Sequence, residues 1–338
     1  MRGAIIHSAG DVRVEDRPDP TILEPTDAII EVSATCVCGS DLWRYRGDTP
    51  VTKPRPIGHE SCGVVVEVGS AVTSVKPGDF VIAAFYSCDG TCAHCRAGFS
   101  SVCANLDSLV GCQATHVRIP QADGTLAVTP EHPSPDQLAD LLTLSDVMGT
   151  GWHAALMAGV RPGMTVAVVG DGAVGLCGVL AAGELGAERI IAMSRHAPRQ
   201  QLASEFGATD IIAARGAEGV AELHELTDGI GADAVLECVG TGPAMEQAIA
   251  SARPGAMVGF VGIPHGIVLD MPTLFGRNVG VRGGMAPVRN YLPDLLERVL
   301  AGRIHPGRVF DATYPLEDIA EAYRAMAERR VIKALVMP

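Results

Sequence analysis

The stretch Val166-Ala167-Val168-Val169-Gly170-Asp171-Gly172-Ala173-Val174-Gly175 decides how this chain is read. An apolar β run enters three glycines spaced Gly-x-Gly-x-x-Gly, and a helical stretch, 174–185, leaves them. Gly170 permits the sharp turn, Gly172 lets the backbone approach a pyrophosphate, and Gly175 lets the helix pack near the strand, with its N-terminus facing the phosphates. Ala173 and Val174 open that helix and complete the candidate cofactor cradle. A second apolar strand, 189–193, about twenty residues on, favours a dinucleotide site over a merely tight turn. That strand ends in Ser194-Arg195-His196, where an NAD site usually presents Asp or Glu to the ribose hydroxyls. A hydroxyl followed by a guanidinium suits a 2′-phosphate, so NADP(H) is expected. If Arg195 is only a solvated surface charge, the cofactor is NAD. Arg199 is either a second phosphate partner or a charge on the helix surface.

Outward from this turn, strands alternate with helices: 165–169, 174–185, 189–193, 199–206 and 234–236, with 258–261 later. This alternation predicts a parallel, doubly wound sheet. Upstream lie short β segments broken by turns, 28–32, 63–68 and 79–83, which predict a β-rich, barrel-like domain. After about Gly284 the pattern is mixed, with helices over 291–300 and 316–329 and a strand over 333–336, expected to return to the first domain. The expected boundaries are 1–145 with 285–338 for the β-rich domain and 146–284 for the nucleotide domain.

At 338 residues the chain has room for two domains, and its 39 glycines, 47% hydrophobic and 19% charged residues describe an α/β protein with many tight turns. A formal net charge of -13 argues against nucleic acid and anionic membranes as partners. The run 164–183, charged only at Asp171, reads as strand, turn and helix rather than a membrane span. The first residues carry too short an apolar run for a secretory signal, which with ten cysteines, some in tight local clusters and Cys36, Cys62, Cys112, Cys177 and Cys238 outside them, predicts a cytoplasmic chain with reduced thiols.

Three metal-type side chains stand far apart upstream of the turn: Cys38 in Cys38-Gly39-Ser40-Asp41, His59 in Gly58-His59-Glu60, and Asp146. One thiolate, one imidazole and one carboxylate suit zinc, and three protein ligands leave a fourth position for substrate, the mark of a catalytic site. For Asp146 the competing reading is a helix N-cap. A second cluster, Cys88-Asp89-Gly90-Thr91-Cys92-Ala93-His94-Cys95 with Cys103, has the spacing of a closed tetrahedral site.

The ordered set of motifs, together with Val75-Lys76-Pro77-Gly78-Asp79-Phe80-Val81 and the ending Ala322-Tyr323-Arg324 to Ile332-Lys333, resembles the zinc-dependent alcohol dehydrogenases of the medium-chain dehydrogenase/reductase family. The resemblance runs through the whole chain. It implies a GroES-like catalytic domain beside a Rossmann nucleotide-binding domain. It implies that Cys38 and His59 are catalytic zinc ligands, that Asp146 takes the third-ligand position, and that Glu60 enters the metal shell transiently. Ser40 falls at the family's proton-relay hydroxyl. Where a relay histidine often follows, this chain has Trp43, which accepts no proton and becomes a candidate pocket wall with Phe85. Lys333 matches a basic residue that reaches the cofactor pyrophosphate. The cysteine cluster resembles the structural zinc lobe, but three residues rather than two separate Cys88 from Cys92, and Asp89 occupies the in-register position. The fourth ligand beside Cys92, Cys95 and Cys103 is therefore Cys88 or Asp89, and a lobe without metal is the other reading.

The implied activity is hydride transfer between NADP(H) and a small alcohol, aldehyde or ketone. The alternatives are an NAD-dependent formaldehyde or polyol dehydrogenase and a catalytically silent zinc- and nucleotide-binding relative. A homotetramer or homodimer is expected, by analogy with the family.

Overall fold

The strand Thr165–Val169 is third in a six-stranded, all-parallel sheet formed by the described residues. The order is Asp210–Ile212, Arg189–Met193, Thr165–Val169, Ala232–Glu237, Ala252–Phe260, Gly280–Gly283. The chain thus runs outward one way from Thr165–Val169 and then outward the other way from Ala232–Glu237, which is the doubly wound order. The computed structural model describes residues 1–107 and 109–338 and divides into two units, Met1–Asp146 with Pro287–Pro338, and Val147–Ala286.

The parallel sheet belongs to the second unit. Its central strands are nearly continuous apolar runs because helices cover both faces, and Ala167, Val169, Ile191, Met193, Val235 and Val258 form its core. The helix Val147–Ala158 packs backbone-close against it: a Cβ on Gly259 would lie 2.1 Å from the Ala154 carbonyl oxygen. This helix is buried on nearly every side, Thr150 and His153 included, so its sequence shows no exposed polar face to announce it. The apolar run 164–183 resolves into the strand Thr165–Val169, the glycine turn and the helix Ala173–Glu184. Among the described residues no helix is long and apolar enough to cross a membrane.

The first unit holds a three-stranded antiparallel sheet, in the order Asp11–Asp16, Arg2–Ser8, Arg55–Pro56, and a seven-stranded mixed sheet among the described residues. The larger one runs Phe310–Pro315, Lys333–Met337, Ala28–Cys36, Ser61–Val68, Phe80–Ala83, Leu126–Val128, with His116–Ile119 also paired to Ala28–Cys36. The tail strand pairs Leu335 with Cys36, which sets the end of the chain beside the Cys38 segment. Two cores flank this arrangement. Ile30, Val65, Val81, Ile119 and Leu126 fill one, and Ile6, Leu42, Ile57, Tyr323 and Val336 fill the other. The first unit is therefore a β-rich domain and the second a doubly wound, Rossmann-like α/β domain.

Candidate functional site

Cys38 lies just beyond the strand Ala28–Cys36 and before the short helix Asp41–Arg46, while His59 and Glu60 lead into the strand Ser61–Val68. Gly58 makes that entry possible: its φ is +91°, and a Cβ there would lie 2.5 Å from Cγ of Gln113. Asp146 follows the helix Leu138–Thr143 and ends the first unit. Ser145 fixes it in place, because its hydroxyl donates to the Ala83 carbonyl at 2.6 Å and accepts from the Ser61 N–H at 3.3 Å. Three segments thus deliver four donors to one spot: the ligand atoms of Cys38, His59, Glu60 and Asp146 all lie within 4.8 Å of one another.

Cys38 Sγ and Asp146 Oδ2 are 3.7 Å apart, and His59 Nε2 is 3.5 Å from the same Asp146 oxygen. Zinc–ligand bonds of about 2.0–2.3 Å at tetrahedral angles require donor separations of roughly 3.3–3.7 Å, so these residues fit the ion. Asp41 Oδ1 sits 3.5 Å from His59 Nδ1, which directs the other ring nitrogen toward the metal position. Asp41 Oδ2 accepts from the Cys38 N–H at 3.0 Å and from Gln113 Nε2 at 3.4 Å, and the Tyr323 hydroxyl donates to Gln113 Oε1 at 3.0 Å. Burial pushes the Cys38 thiol up, and a bound cation is the charge that stabilises its thiolate. Burial opposes protonation of His59, but the carboxylates of Asp41 and Asp146 outweigh it and hold its pKa well above the usual histidine value.

Glu60 and Lys333 form a fully buried ion pair, each side chain 1% exposed, with Nζ 2.8 Å from Oε1. Lys333 Nζ also donates to the Val37 carbonyl at 3.3 Å. The second carboxylate oxygen of Glu60 is buried without a hydrogen-bond partner, which suits a group that turns toward a cation.

The cysteine cluster gathers Asp89, Cys92, Cys95 and Cys103 within 4.8 Å. Asp89 Oδ1 accepts from the Thr91 and Cys92 N–H groups at 2.7 and 2.9 Å, and Oδ2 accepts from Asn105 Nδ2 at 2.7 Å. The N–H groups of Ala104 and Cys95 point at Cys92 Sγ and bring that thiol down to about 7. Cys88 is turned the other way: it is fully buried, and its thiol donates to the Gly124 carbonyl at 2.9 Å.

In the second unit Gly170 has a φ of +117°, and a Cβ on Gly175 would lie 2.0 Å from the Gly170 carbonyl oxygen. Gly172 caps the helix Ala173–Glu184 without any side-chain hydrogen bond, leaving first-turn N–H groups for an anion. Ser194 Oγ donates to Asp171 Oδ2 at 3.0 Å, and Arg199 contacts both the Asp171 carbonyl, at 3.2 Å, and Oδ1, at 3.3 Å. Arg195 is exposed and forms no hydrogen bond or ion pair among the described residues.

Residues 24–130 match the alcohol dehydrogenase GroES-like domain and residues 173–301 match the zinc-binding dehydrogenase domain. The zinc-type alcohol dehydrogenase B of Aspergillus flavus is 35% identical, across 99% of this chain and 81% of its own length. The chain belongs to the zinc-dependent alcohol dehydrogenases of the medium-chain dehydrogenase/reductase family. A probable zinc-binding alcohol dehydrogenase of Mycobacterium tuberculosis is 36% identical, across 97% of this chain and 86% of its own length. The solved alcohol dehydrogenase of Thermus sp. ATN1 superposes with a TM-score of 0.91 at 30% identity, covering 100% of this chain and 99% of that one.

As an alcohol dehydrogenase of this family the protein is an oxidoreductase whose class implies zinc and a nicotinamide cofactor. The structure brings Cys38, His59, Glu60 and Asp146 together, and of the two candidates for the lobe it brings in Asp89 and leaves Cys88 out. Thiol burial against Gly124 is the reason: a Cβ on Gly124 would lie 1.9 Å from the Cys88 carbonyl oxygen, so the two backbones are pressed together there. Lys333 is buried and paired with Glu60. Arg199 is likewise engaged, with Asp171 rather than solvent. Gln113 and Ser145 carry no local motif, Tyr323 stands in the family-like ending with no local sign of a role here, and only the fold assembles them.

Proposed function

We propose that this alcohol dehydrogenase is a carbonyl reductase or alcohol dehydrogenase that uses NADP(H) on a small alcohol, aldehyde or ketone. The observation that carries the catalytic part is the approach of Cys38 Sγ and His59 Nε2 to Asp146 Oδ2, at 3.7 and 3.5 Å, beside the partnerless oxygen of Glu60. When bound, the metal supplies a Lewis acid for the substrate oxygen and the nicotinamide a hydride carrier. Cys38, His59 and Asp146 hold the metal, and Asp41 fixes the tautomer of His59. Glu60 is the reserve ligand, held by Lys333 at one oxygen and free at the other. Ser40, partly exposed at the N-cap of the helix Asp41–Arg46 and making no cap bond of its own, takes or gives the substrate proton. Trp43 carries no acceptor, so it cannot pass that proton on. Asp89, Cys92, Cys95 and Cys103 hold a second, structural zinc.

The cofactor reading rests on Ser194 and the exposed, unpaired guanidinium of Arg195 at the end of the strand Arg189–Met193. NAD(H) remains the competing cofactor, favoured by the Asp171 carboxylate beside Ser194. The strand Gly280–Gly283 ends the parallel sheet, and Met271 and Phe275 nearby are 62% and 87% exposed, which supports a homodimer or homotetramer joined along that edge. Ten free cysteines support a reducing, cytoplasmic setting.

The test is Cys38→Ala together with elemental analysis. The variant should lose one metal per chain, retain its fold, and stop oxidising NADPH with an aldehyde panel; unchanged turnover contradicts the site. Comparison of kcat/KM for NADPH and NADH, with Arg195→Ala lowering only the NADPH value, checks the cofactor.

A further inference from the structure

The glycine turn carries an acidic residue whose role the dinucleotide reading leaves unassigned. Asp171 stands between the first two glycines, and its side chain is 11% exposed. It reaches across to the end of the neighbouring strand, accepting from Ser194 Oγ at 3.0 Å, and pairs with Arg199 at 3.3 Å. These are the groups that a 2′-phosphate would engage.

We infer that Asp171 is a specificity-determining residue: it takes the place of the carboxylate missing after the strand Arg189–Met193, restrains the preference for a 2′-phosphate, and lets the site accept an unphosphorylated ribose. The inference rests on the assignment of Ser194 and Arg195 to the cofactor ribose. A serine hydroxyl has one proton to donate. In this structure that proton is directed at Asp171 Oδ2. An ionised phosphate monoester is an acceptor, carries a charge of roughly -1.5 to -2, and has to take the same proton from the carboxylate while being repelled by it. Arg199 is held by Asp171 through two contacts, one to the carboxylate and one to the carbonyl, so the same residue also draws away a second cation. A ribose hydroxyl meets no such conflict. It can donate to Asp171, or to the lone pairs of Ser194, without displacing either bond. Exposed Arg195 therefore attracts the phosphate while Asp171 opposes it, and the balance sets the selectivity.

The test uses adenosine 2′,5′-bisphosphate and adenosine 5′-phosphate, which differ only in the 2′-phosphate, titrated calorimetrically into the full chain. Wild type should prefer the bisphosphate by less than about tenfold; a preference beyond about 100-fold overturns the inference without any variant. Asp171→Asn should tighten the bisphosphate roughly tenfold and leave the monophosphate unchanged or weaker, as removal of one repulsive charge at short range implies. Asp171→Ser should act the same way, and thermal melting of both variants verifies folding. A ratio that stays at the wild-type value, or equal weakening of both ligands, makes Asp171 a scaffold of the turn and refutes the assignment. Arg195→Ala separates the two readings. If it leaves the wild-type ratio untouched, the NADP(H) assignment fails, whereas a response to Arg195→Ala without one to Asp171→Asn removes only the role of Asp171.

Discussion

The two ligand clusters of the first unit are assembled in opposite ways. The buried one draws Cys38, His59, Glu60 and Asp146 from three distant segments and backs them with an ion pair between residues 273 apart in sequence. The lobe cluster takes all its donors from the single stretch 89–103, with the backbone N–H groups of the same loop pointing at its sulfur atoms. The first depends on the whole domain for its shape, and the proposed function gives it the chemistry. The second is built from local bonds, and the proposed function gives it a stabilising metal. If this contrast is sound, variants of the buried cluster change turnover and those of the lobe change melting.

The largest effect is expected for Cys38→Ala, with turnover falling on the order of 10³-fold or more because the Lewis acid is lost, while the lobe metal and the fold remain. A steady-state assay with elemental analysis checks both halves. Next comes Lys333→Met, which strands the buried Glu60 carboxylate; about 3–5 kcal/mol of stability should be lost, measured by urea unfolding, and Glu60→Gln in the same chain should restore much of it. Asp41→Asn should lower zinc affinity or turnover roughly 10–100-fold by freeing the orientation of His59, read by competition with a chromogenic chelator. Asp89→Ala should remove one metal per chain and lower the melting temperature by several degrees, at about 2–4 °C per kcal/mol, with kcat little changed. Cys88→Ala is the smallest: metal content stays at the wild-type value, whereas loss of metal there would restore Cys88 as the ligand.

The same contrast explains what the sequence discloses. Short-range features are legible because their physics is local. The glycine turn, the alternation of strand and helix, and the loop spacing of Cys92, Cys95 and Cys103 all follow from neighbours in the chain. Choosing between Cys88 and Asp89 was not possible from spacing, because what decides is the packing of Cys88 against Gly124, a contact 36 residues away. The burial of Lys333 is hidden for a related reason. A lysine near the end of a chain looks solvent-facing until the pairing of Lys333–Met337 with Ala28–Cys36 folds it beneath Glu60. The helix Val147–Ala158 escaped because burial on every side removes the periodicity by which helices are recognised. Gln113, Ser145 and Tyr323 are ordinary residues in sequence, and only three-dimensional proximity gives them work at the metal centre.

An anomalous-difference map collected at the zinc edge from crystals of the purified protein tests the metal centre most directly. A peak is expected at bonding distance, about 2.0–2.3 Å, from Cys38 Sγ, His59 Nε2 and a carboxylate oxygen of Asp146. No peak there, or one bonded to other side chains, would contradict the assignment.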